Sequence, residues 1–306
     1  MSNHFPLTLL LLVSLLLPSG ARSQVQGMGW EPSPGDRASL RGWMANDFLY
    51  VPLKTDKYYT SGLALEYARY AKQADKYTTK TWKLEHAIFT PENIEATDML
   101  ADDRPYASYL SLERAWAWTD DSGLSFSQSV RGGVLGRYAQ GEWLQNTWHG
   151  YLSYADDIPG WPNQVKPDVV INYRAMIDKD WLPSKQLALA TYGRGRVGTL
   201  FTDLTAGARV VWTIVITNNP KRYFTVGASQ EFRAVGYNAT LSGGLFNRDD
   251  RFRGVVRPER LVSLRQVRLA LRYGQLGLET SGFWLNPEFQ GGREHAYVRA
   301  GVQWFW

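Results

Sequence analysis

The stretch 44–67 constrains the fold more than any other part of the sequence. It is predicted to form a strand, a polar loop and a second strand. Side chains alternate between the two faces of a strand, so the second strand separates two kinds of residue. One face carries Leu63, Leu65 and Tyr67, and the other carries Thr60, Gly62, Ala64 and Glu66. Such a strand, apolar outside and small or polar inside, is unusual for a soluble core and is typical of a membrane barrel with a wet lumen.

The final segment of the chain repeats this pattern. Ala296, Val298, Ala300, Val302, Trp304 and Trp306 alternate with Tyr297, Arg299, Gly301, Gln303 and Phe305. The segment 260–273 likewise turns Arg268 and Arg272 away from its apolar face. We expect inward arginines of this kind to pair with carboxylates such as Glu231 and Glu279 and to fill the lumen. The sequence therefore predicts a plugged barrel rather than an open pore.

Strand-like segments recur along the chain after residue 40, with no convincing amphipathic helix between most of them. About twelve are predicted, an even number, as a closed antiparallel transmembrane β-barrel requires. They cover 41–50, 58–71, 81–90, 105–118, 123–137, 168–180, 186–197, 202–217, 221–236, 260–273, 275–286 and 294–306. Short links at 119–122, 183–184, 218–220 and Gly274 alternate with long links at 51–57, 91–104, 138–167 and 237–259. Short turns and long loops at opposite ends are typical of outer-membrane barrels, and a soluble β-sandwich does not predict them.

Residues 1–23 are predicted to be a signal peptide. An apolar core at 7–17 is followed by Ala21-Arg22-Ser23, which resembles a cleavage site for export. The core is short for a membrane span, so we favour cleavage over an uncleaved anchor. Residues 24–40 are then a Gly- and Pro-rich leader, and 41–306 form an all-β barrel domain.

Composition agrees with an outer-membrane location. The longest later apolar run, 210–216, is far below the roughly 18 residues that a spanning helix needs. Mean hydropathy is −0.34, yet aromatic residues make up 14 % of the chain, with 13 Trp and 17 Tyr. Barrel walls need apolar residues only at every second position and collect Trp and Tyr at both interfaces, which produces this mixture. The chain has no cysteine, which excludes disulfides and thiol chemistry.

The net charge of +5 favours an anionic partner. An exported chain meets the phosphorylated lipid of an outer membrane and does not meet nucleic acid. A basic surface with no dedicated ligand explains the charge equally well.

The loop 138–167 contains a predicted short helix. Glu142, Gln145 and His149 recur in it at helical spacing, which places Gln145 and His149 on one face, one turn apart. Pro159-Gly160 is expected to end the helix. A helix of this kind would lie over the rim of the barrel, in a long outer loop.

Each candidate for chemistry also has a plain structural interpretation. His86 and His295 fall in strands and are interpreted as structural, and a loop histidine such as His149 is by itself more often inert. Asn46-Asp47 suits a strand end, Thr60 an ordinary strand position, and Asp103-Arg104 a turn with a local ion pair. Ser61 and Ser153 lie in no G-x-S-x-G elbow.

Taken together and in order, five short motifs resemble a known family. They are Asn46-Asp47, Tyr59-Thr60-Ser61-Gly62, Asp103-Arg104-Pro105-Tyr106-Ala107, Gln145-x3-His149 and Gly160-Trp161-x-Asn163-Gln164. This set resembles the lipid A 3'-O-deacylases, calcium-dependent outer-membrane barrels of Gram-negative bacteria. The motif-level resemblance runs from Asn46 to Gln164, and beyond that it depends on the strand pattern and the aromatic C-terminus.

The resemblance implies a role for each matched residue. His149 would be the general base that activates water to attack an acyl ester of lipid A, and Gln145 would support the histidine or its water. Asp47 would help to hold Ca²⁺, with Asn46 and Thr60 completing the polar site. It also implies a monomer in the outer membrane whose site faces the outer leaflet and its lipopolysaccharide.

One departure from the family keeps other functions open. A member of the family has a functional lysine in the loop after the third strand, and the corresponding loop here, 90–98, has none. Lys54, Lys57 or Arg104 would then supply a phosphate contact instead. The alternatives are a catalytically inactive structural or lipid-binding barrel, and a serine-type phospholipase that uses Ser61 or Ser153.

Overall fold

The computed structural model describes residues 32–33, 35–47, 57–73, 75–100, 103–152, 157–181, 186–252 and 256–306. The predicted signal peptide, most of the predicted leader and Ser153 lie outside the described residues. Within these ranges, no helix is both long enough and apolar enough to cross a membrane.

Twelve antiparallel strands close into a barrel. In chain order they are β1 (Ala38–Asn46), β2 (Tyr58–Gln73), β3 (Lys76–Thr90), β4 (Ala107–Asp120), β5 (Leu124–Leu135), β6 (Asp168–Asp180), β7 (Leu187–Gly198), β8 (Phe201–Val215), β9 (Arg222–Asn238), β10 (Leu261–Tyr273), β11 (Leu276–Leu285) and β12 (His295–Phe305). β1 pairs with β12, with Ser39 opposite Phe305, which closes the sheet. Two short helices, α1 (Gly141–Leu152) and α2 (Ala239–Ser242), lie in the links β5–β6 and β9–β10. The predicted all-β barrel with a short helix in a long loop is confirmed.

The two ends of the barrel differ in the length of their links. At the short-turn end, β2 and β3 are joined through 74–75, and β10 and β11 through 274–275. At the long-loop end, residues 136–167 separate β5 from β6, and 239–260 separate β9 from β10. The link 199–200 between β7 and β8 is a short exception at the long-loop end.

The outer wall, meaning the face of the sheet that points away from the lumen, is apolar. In β12, Val302 and Trp304 are 48 % and 50 % exposed, whereas Gln303 and Phe305 are buried. Leu65 in β2 is 52 % exposed in the same way. The predicted alternation is confirmed, and it is the pattern expected where a wall separates lipid from a polar interior.

The alternation fails at Thr60. A β-bulge interrupts the β2–β3 register between Tyr59 and Ser61. The Phe89 ring lines the lumen, so the side chain of Thr90, the next residue, lies on the outer wall. The Thr60 hydroxyl lies 2.6 Å from the Thr90 hydroxyl. The prediction that Thr60 faces the lumen is therefore wrong, because the extra residue of a bulge re-aims the side chains beside it.

Ion pairs occupy the middle of the lumen. Arg268 donates to Glu279 at 2.7 Å, and Arg194 donates to Glu231 at 2.9 Å. The predicted pairing of inward arginines with Glu231 and Glu279 is confirmed. These pairs fill interior space that an open pore would need.

Both ends of the lumen are capped. At the short-turn end, Asp36 accepts from Arg272 at 2.7 Å and from Lys221 at 2.9 Å, and the Arg272 guanidinium lies 3.8 Å from the centre of the Phe305 ring. At the long-loop end, an apolar cluster covers the lumen. Its largest members are Tyr58, Phe89, Tyr109, Leu135, Leu200, Leu241, Phe252 and Phe289. The structure is that of a plugged barrel.

Candidate active site

The loop that carries α1 lies against the outer wall. It begins with the 3₁₀ turn Gly136–Ala139, and the Ala139 carbonyl oxygen lies 2.8 Å from Nε2 of His86 in β3. Glu85, the neighbour of His86, faces the lumen, where it pairs with Arg131. His86 therefore points away from the lumen, and its contact agrees with the structural role predicted for it.

Close approach between α1 and the wall depends on Gly141, the first residue of the helix. A Cβ atom at this position would lie 2.5 Å from Cβ of Ser108 in β4 and 2.8 Å from Cη2 of Trp161. Non-bonded carbon atoms do not approach this closely. Glycine therefore allows the start of the helix to contact the strand directly.

A small apolar cluster holds α1 on the wall. Ile88 of β3 packs with Tyr106, Ile158 and Trp161, and Leu144 of α1 packs against this group. Trp161 is fully buried, and its ring lies 5.0 Å from that of Tyr106. Burial of two aromatic rings and three aliphatic side chains stabilises the position of the helix on the wall.

The described part of α1 ends at Leu152, and residues 157–158 are not helical. The helix is therefore over before Pro159-Gly160, which precede a second 3₁₀ turn, Trp161–Asn163. Gly160 is needed there for packing, because a Cβ atom would lie 2.5 Å from the Tyr106 ring. The Pro-Gly pair therefore shapes the return of the chain to the wall rather than the end of α1.

Gln145 is fixed from one side and has an unpaired group on the other. Its side chain is buried, and its Oε1 atom accepts from Nε1 of Trp161 at 3.0 Å. This bond identifies which end of the amide faces the tryptophan. The Nε2 atom is then a buried donor without a hydrogen-bond partner among the described residues.

His149 lies one helical turn beyond Gln145 on the same face of α1. Its imidazole is half-buried, and its Nδ1 atom is buried without a partner in the described part of the chain. Buried polar atoms in proteins are nearly always hydrogen-bonded, so exceptions need an explanation. Two such atoms at successive turns of one helix indicate a place for a polar ligand or a water.

Thr60 lies on the part of the wall next to α1. The side chain of Ile88, under Leu144, belongs to the outer wall, as does that of Thr90 two residues later. Thr90 and Thr60 share a hydrogen bond and are both buried. The bulge in β2 therefore turns the Thr60 hydroxyl toward the side of the wall on which the helix lies.

Asn46 and Asp47 end β1 beside this position. Asn46 lies opposite Ser61, the residue after Thr60. Asp47 is fully buried, and its Oδ2 atom accepts from the backbone N–H of Lys57 at 2.5 Å. This bond ties the end of β1 to the start of β2 across the intervening loop. The structure thus brings Asn46, Asp47 and Thr60 to adjoining strand ends.

The donors at these strand ends are of the type that Ca²⁺ prefers. Asp47 offers a carboxylate, Asn46 an amide oxygen and Thr60 a hydroxyl. No three Asp, Glu, His or Cys side chains of the described residues form a metal-holding group. By donor type the position fits a hard cation, with one carboxylate and otherwise neutral oxygen ligands.

Lys57 and Arg104, two of the three predicted phosphate contacts, are engaged elsewhere, and Lys54 lies outside the described residues. The Lys57 ammonium lies 3.3 Å from Glu92, which also binds Arg293 at 2.9 Å. The Lys57–Glu92 and Arg293–Glu92 ion pairs both lie among the loops at the long-loop end of the barrel.

Arg104 points toward the capped lumen. Its buried guanidinium donates to the Thr240 hydroxyl at 3.0 Å, lies 4.4 Å from the centre of the Phe89 ring and lies 3.7 Å from Glu288. Burial lowers the pKa of Arg104 to about 10, against the raising effect of Glu288. Asp103 accepts from the backbone N–H of Arg104 at 2.7 Å, which agrees with the alternative of a structural turn. Arg104 is not brought to α1.

Trp161 is the contact that the sequence does not reveal. Its motif is visible as Gly160-Trp161-x-Asn163-Gln164, but nothing local indicates that the indole bonds to Gln145 sixteen residues earlier. Ser61, one of the serine candidates, is an outer-wall residue opposite Ile88.

Comparisons with known proteins agree on this fold. A model of the family described as outer membrane protein LpxR matches residues 7–306. The solved structure of LpxR from Salmonella typhimurium superposes with a TM-score of 0.75 at 20 % identity, covering 88 % of this chain and 100 % of that one. An outer membrane channel from Pseudomonas putida F1 superposes with a TM-score of 0.51 at 9 % identity, covering 92 % and 100 %. No curated protein matches the chain significantly.

Proposed function

The chain belongs to the LpxR family of outer membrane proteins, and on that premise we propose that it is an outer-membrane esterase that deacylates lipid A. Its motifs resemble the lipid A 3'-O-deacylases, and the structural match to LpxR from Salmonella typhimurium supports the same barrel. The bond cleaved is the ester of the 3'-acyloxyacyl group of lipid A in lipopolysaccharide.

The observation that carries this proposal is the pair of buried, unpartnered atoms on α1. Ester hydrolysis by water needs a base for the proton of the water and donors for the oxygen that becomes negative. His149 accepts the proton through Nδ1, in the tautomer that leaves this nitrogen free. Gln145, held by Trp161, donates through Nε2 to the water or to the oxyanion. No serine nucleophile is needed.

The strand ends supply the remaining polar groups. Asp47, with Asn46 and Thr60 beside it, would hold Ca²⁺, which when bound supplies positive charge for the developing oxyanion. The bond from Asp47 to the Lys57 backbone orients the carboxylate. The bond from Thr60 to Thr90 does the same for the hydroxyl.

The exposed face of α1 supports a lipid substrate. Trp143, Trp148 and Tyr151 are 63 %, 52 % and 86 % exposed on the helix. Trp and Tyr favour the interface between membrane and water, so this face suits the level of the lipid head groups. With the long-loop end toward the outer leaflet, an acyl ester reaches the outer wall without entering the lumen. A single chain contains every group named, so the proposed reaction needs no residue from a second subunit.

A catalytically inactive lipid-binding barrel is the second candidate. The missing lysine in 90–98 favours it, as does Arg104, whose guanidinium is committed to Thr240 and Glu288. The capped lumen does not favour a pore.

Incubating the refolded chain with lipopolysaccharide tests the proposal. We expect mass spectrometry of the lipid A to show loss of the acyloxyacyl mass with calcium and no loss in excess chelator. Intact lipid A in both arms would establish the inactive barrel. Equal release in both arms would remove Ca²⁺ from the mechanism.

A further inference from the structure

The lumen contains a cavity between its two caps. Its volume is about 280 Å³. A second cavity of about 160 Å³ adjoins it, and the two share Lys83, Arg196, Phe201 and Arg233 in their walls. Neither includes any residue of the candidate active site, which lies on the other side of the wall.

Positive charge predominates around these cavities. The cationic side chains in their walls are Lys83, Arg131, Arg174, Arg194, Arg196, Arg233 and Arg299. The carboxylates are Glu85, Glu113, Asp203 and Glu288. The imbalance matters because a buried charge without a counter-charge is strongly unfavourable.

All four of these carboxylates already have cationic neighbours: Glu113 binds Arg131 at 2.7 Å, and Glu288 lies 3.7 Å from Arg104. Glu85 binds Lys83 at 2.7 Å and accepts from the Tyr109 hydroxyl at 2.5 Å. Asp203 accepts from Nε of Arg196 at 2.9 Å. These carboxylates therefore neutralise side chains other than Arg233 and Arg299.

Arg233 and Arg299 lack close counter-charges. The shortest ion contact of Arg233 is 3.9 Å, to Glu231, which also binds Arg194 at 2.9 Å. No carboxylate of the described residues forms an ion pair with Arg299 within 4.0 Å, and its guanidinium lies 5.1 Å from the centre of the Phe283 ring. Two guanidinium groups thus face one cavity with little neutralisation.

Unpartnered donors point to the same cavity. The Nε atoms of Arg233 and Arg299 are buried and have no hydrogen-bond partner among the described residues. His295 also lines the cavity, is 2 % exposed, and has no partner for either ring nitrogen within the described ranges. Its ring packs edge-on against Tyr58, with the ring centres 5.4 Å apart, so packing holds it in place. Glu288 also lines this cavity, but it pairs with Arg104 at 3.7 Å and forms no hydrogen bond with these donor atoms.

We propose that the lumen contains an anion-binding site, formed by Arg233, Arg299 and His295, for an oxyanion of the phosphate class. Guanidinium groups bind phosphate through parallel N–H···O bonds, and an imidazole N–H adds a further donor. The cavity is larger than one phosphate ion, and water fills the remainder of a polar cavity of this size. Because both ends of the lumen are capped, the anion enters as the barrel folds and stabilises it.

Refolding the chain in detergent with and without labelled inorganic phosphate tests this site. After exhaustive dialysis, we expect about one retained phosphate per chain and a higher midpoint temperature of unfolding than after refolding in chloride of equal ionic strength. A barrel that retains no phosphate, or that gains the same stability in chloride, would overturn the proposal.

Substitutions distinguish a site from general lumen electrostatics. Arg233→Met and Arg299→Met are expected to abolish retention of phosphate, whereas Arg209→Met is expected to keep it. Arg209 binds Asp178 at 2.7 Å and lines neither cavity. Should a methionine variant fail to fold, Arg233→Lys keeps the charge and is expected to retain phosphate at least tenfold more weakly. Full retention in a folded Arg233→Met or Arg299→Met variant, or loss in folded Arg209→Met, would contradict the assignment.

Discussion

The two sides of the barrel wall differ in how completely their polar groups are paired. On the lumen side of β3 and β4, Glu85 and Glu113 each bind two or more neighbours, among them Arg131, which is 2.7 Å from Glu113. On the outer wall above the same strands, Gln145 and His149 each have one buried atom with no partner among the described residues. Polar groups whose hydrogen bonds are all satisfied stabilise the fold, whereas buried polar groups with an unsatisfied hydrogen bond indicate where a ligand binds.

On the outer wall, the side chains of the candidate site are fixed in position while some of their polar atoms stay available to a ligand. Trp161 satisfies one end of the Gln145 amide and leaves the other end available. The Glu85 carboxylate has no atom left available in this way, because it contacts Lys83, Tyr109 and Arg131. Substitutions on the outer wall should therefore alter catalysis with little effect on folding, and substitutions in the lumen should do the reverse.

Replacing His149 with alanine is expected to have the largest effect on catalysis. Loss of a general base lowers a rate by a factor of about 10² to 10⁴. The measurement is the rate of acyl release from lipid A by mass spectrometry. Thr147→Ala, at an exposed position of the same helix, is the control and should be fully active. Release at the normal rate from His149→Ala would exclude His149 as the base.

Replacing Gly141 with valine should lift the helix from the wall. The added side chain overlaps Ser108 and Trp161, which moves the start of α1 outward. A displacement of about 1 Å can lower a rate about a hundredfold. Gly150→Val is the matched control, since a Cβ atom there has no neighbour within 4 Å. Heat-dependent migration on a gel should show both barrels folded, and equal rates in the two variants would contradict the close docking of α1.

The sequence predicts the barrel well because its pattern is repeated in every strand. A wall between lipid and a polar interior needs apolar residues at alternate positions, and β10 and β12 show this in residues such as Val267 and Val302. Pairing of the inward Arg268 with Glu279 follows from the same rule. These features require only the strand period and the polarity of each face.

The candidate site is less predictable because its geometry depends on interruptions of that pattern. Thr60 reaches the outer wall because of a β-bulge, and no residue type at this position predicts the bulge from sequence. Arg104 bonds to Thr240, a residue 136 positions away, so its direction depends on a loop that local sequence cannot position. The helical spacing of Gln145 and His149 was visible, but the partner of Gln145 was not.

A smaller effect is expected from Trp161→Phe, which removes the bond to Gln145 while keeping an aromatic ring in the apolar cluster. One hydrogen bond between neutral groups contributes about 1 kcal/mol, so we expect the rate to fall about fivefold to tenfold. The loss should be in kcat, because Gln145 then turns away from the reacting oxygen. Trp143→Phe, at an exposed position, is the control. An unchanged kcat would mean that Trp161 serves packing alone.

The smallest effect on catalysis is expected from the lumen, with Glu113→Gln. The glutamate accepts from Arg131 at 2.7 Å and from Arg174 at 3.2 Å. Removing its charge leaves Arg174 without its carboxylate partner and Arg131 with Glu85 alone, and breaking a buried ion pair costs up to about 3 to 5 kcal/mol. Urea unfolding in detergent should therefore show a less stable barrel, while folded molecules release acyl chains at the normal rate. A slower rate in the folded variant would show that the two sides of the wall are coupled, because the lumen pairs would then help to set the position of β3 and β4 beneath α1.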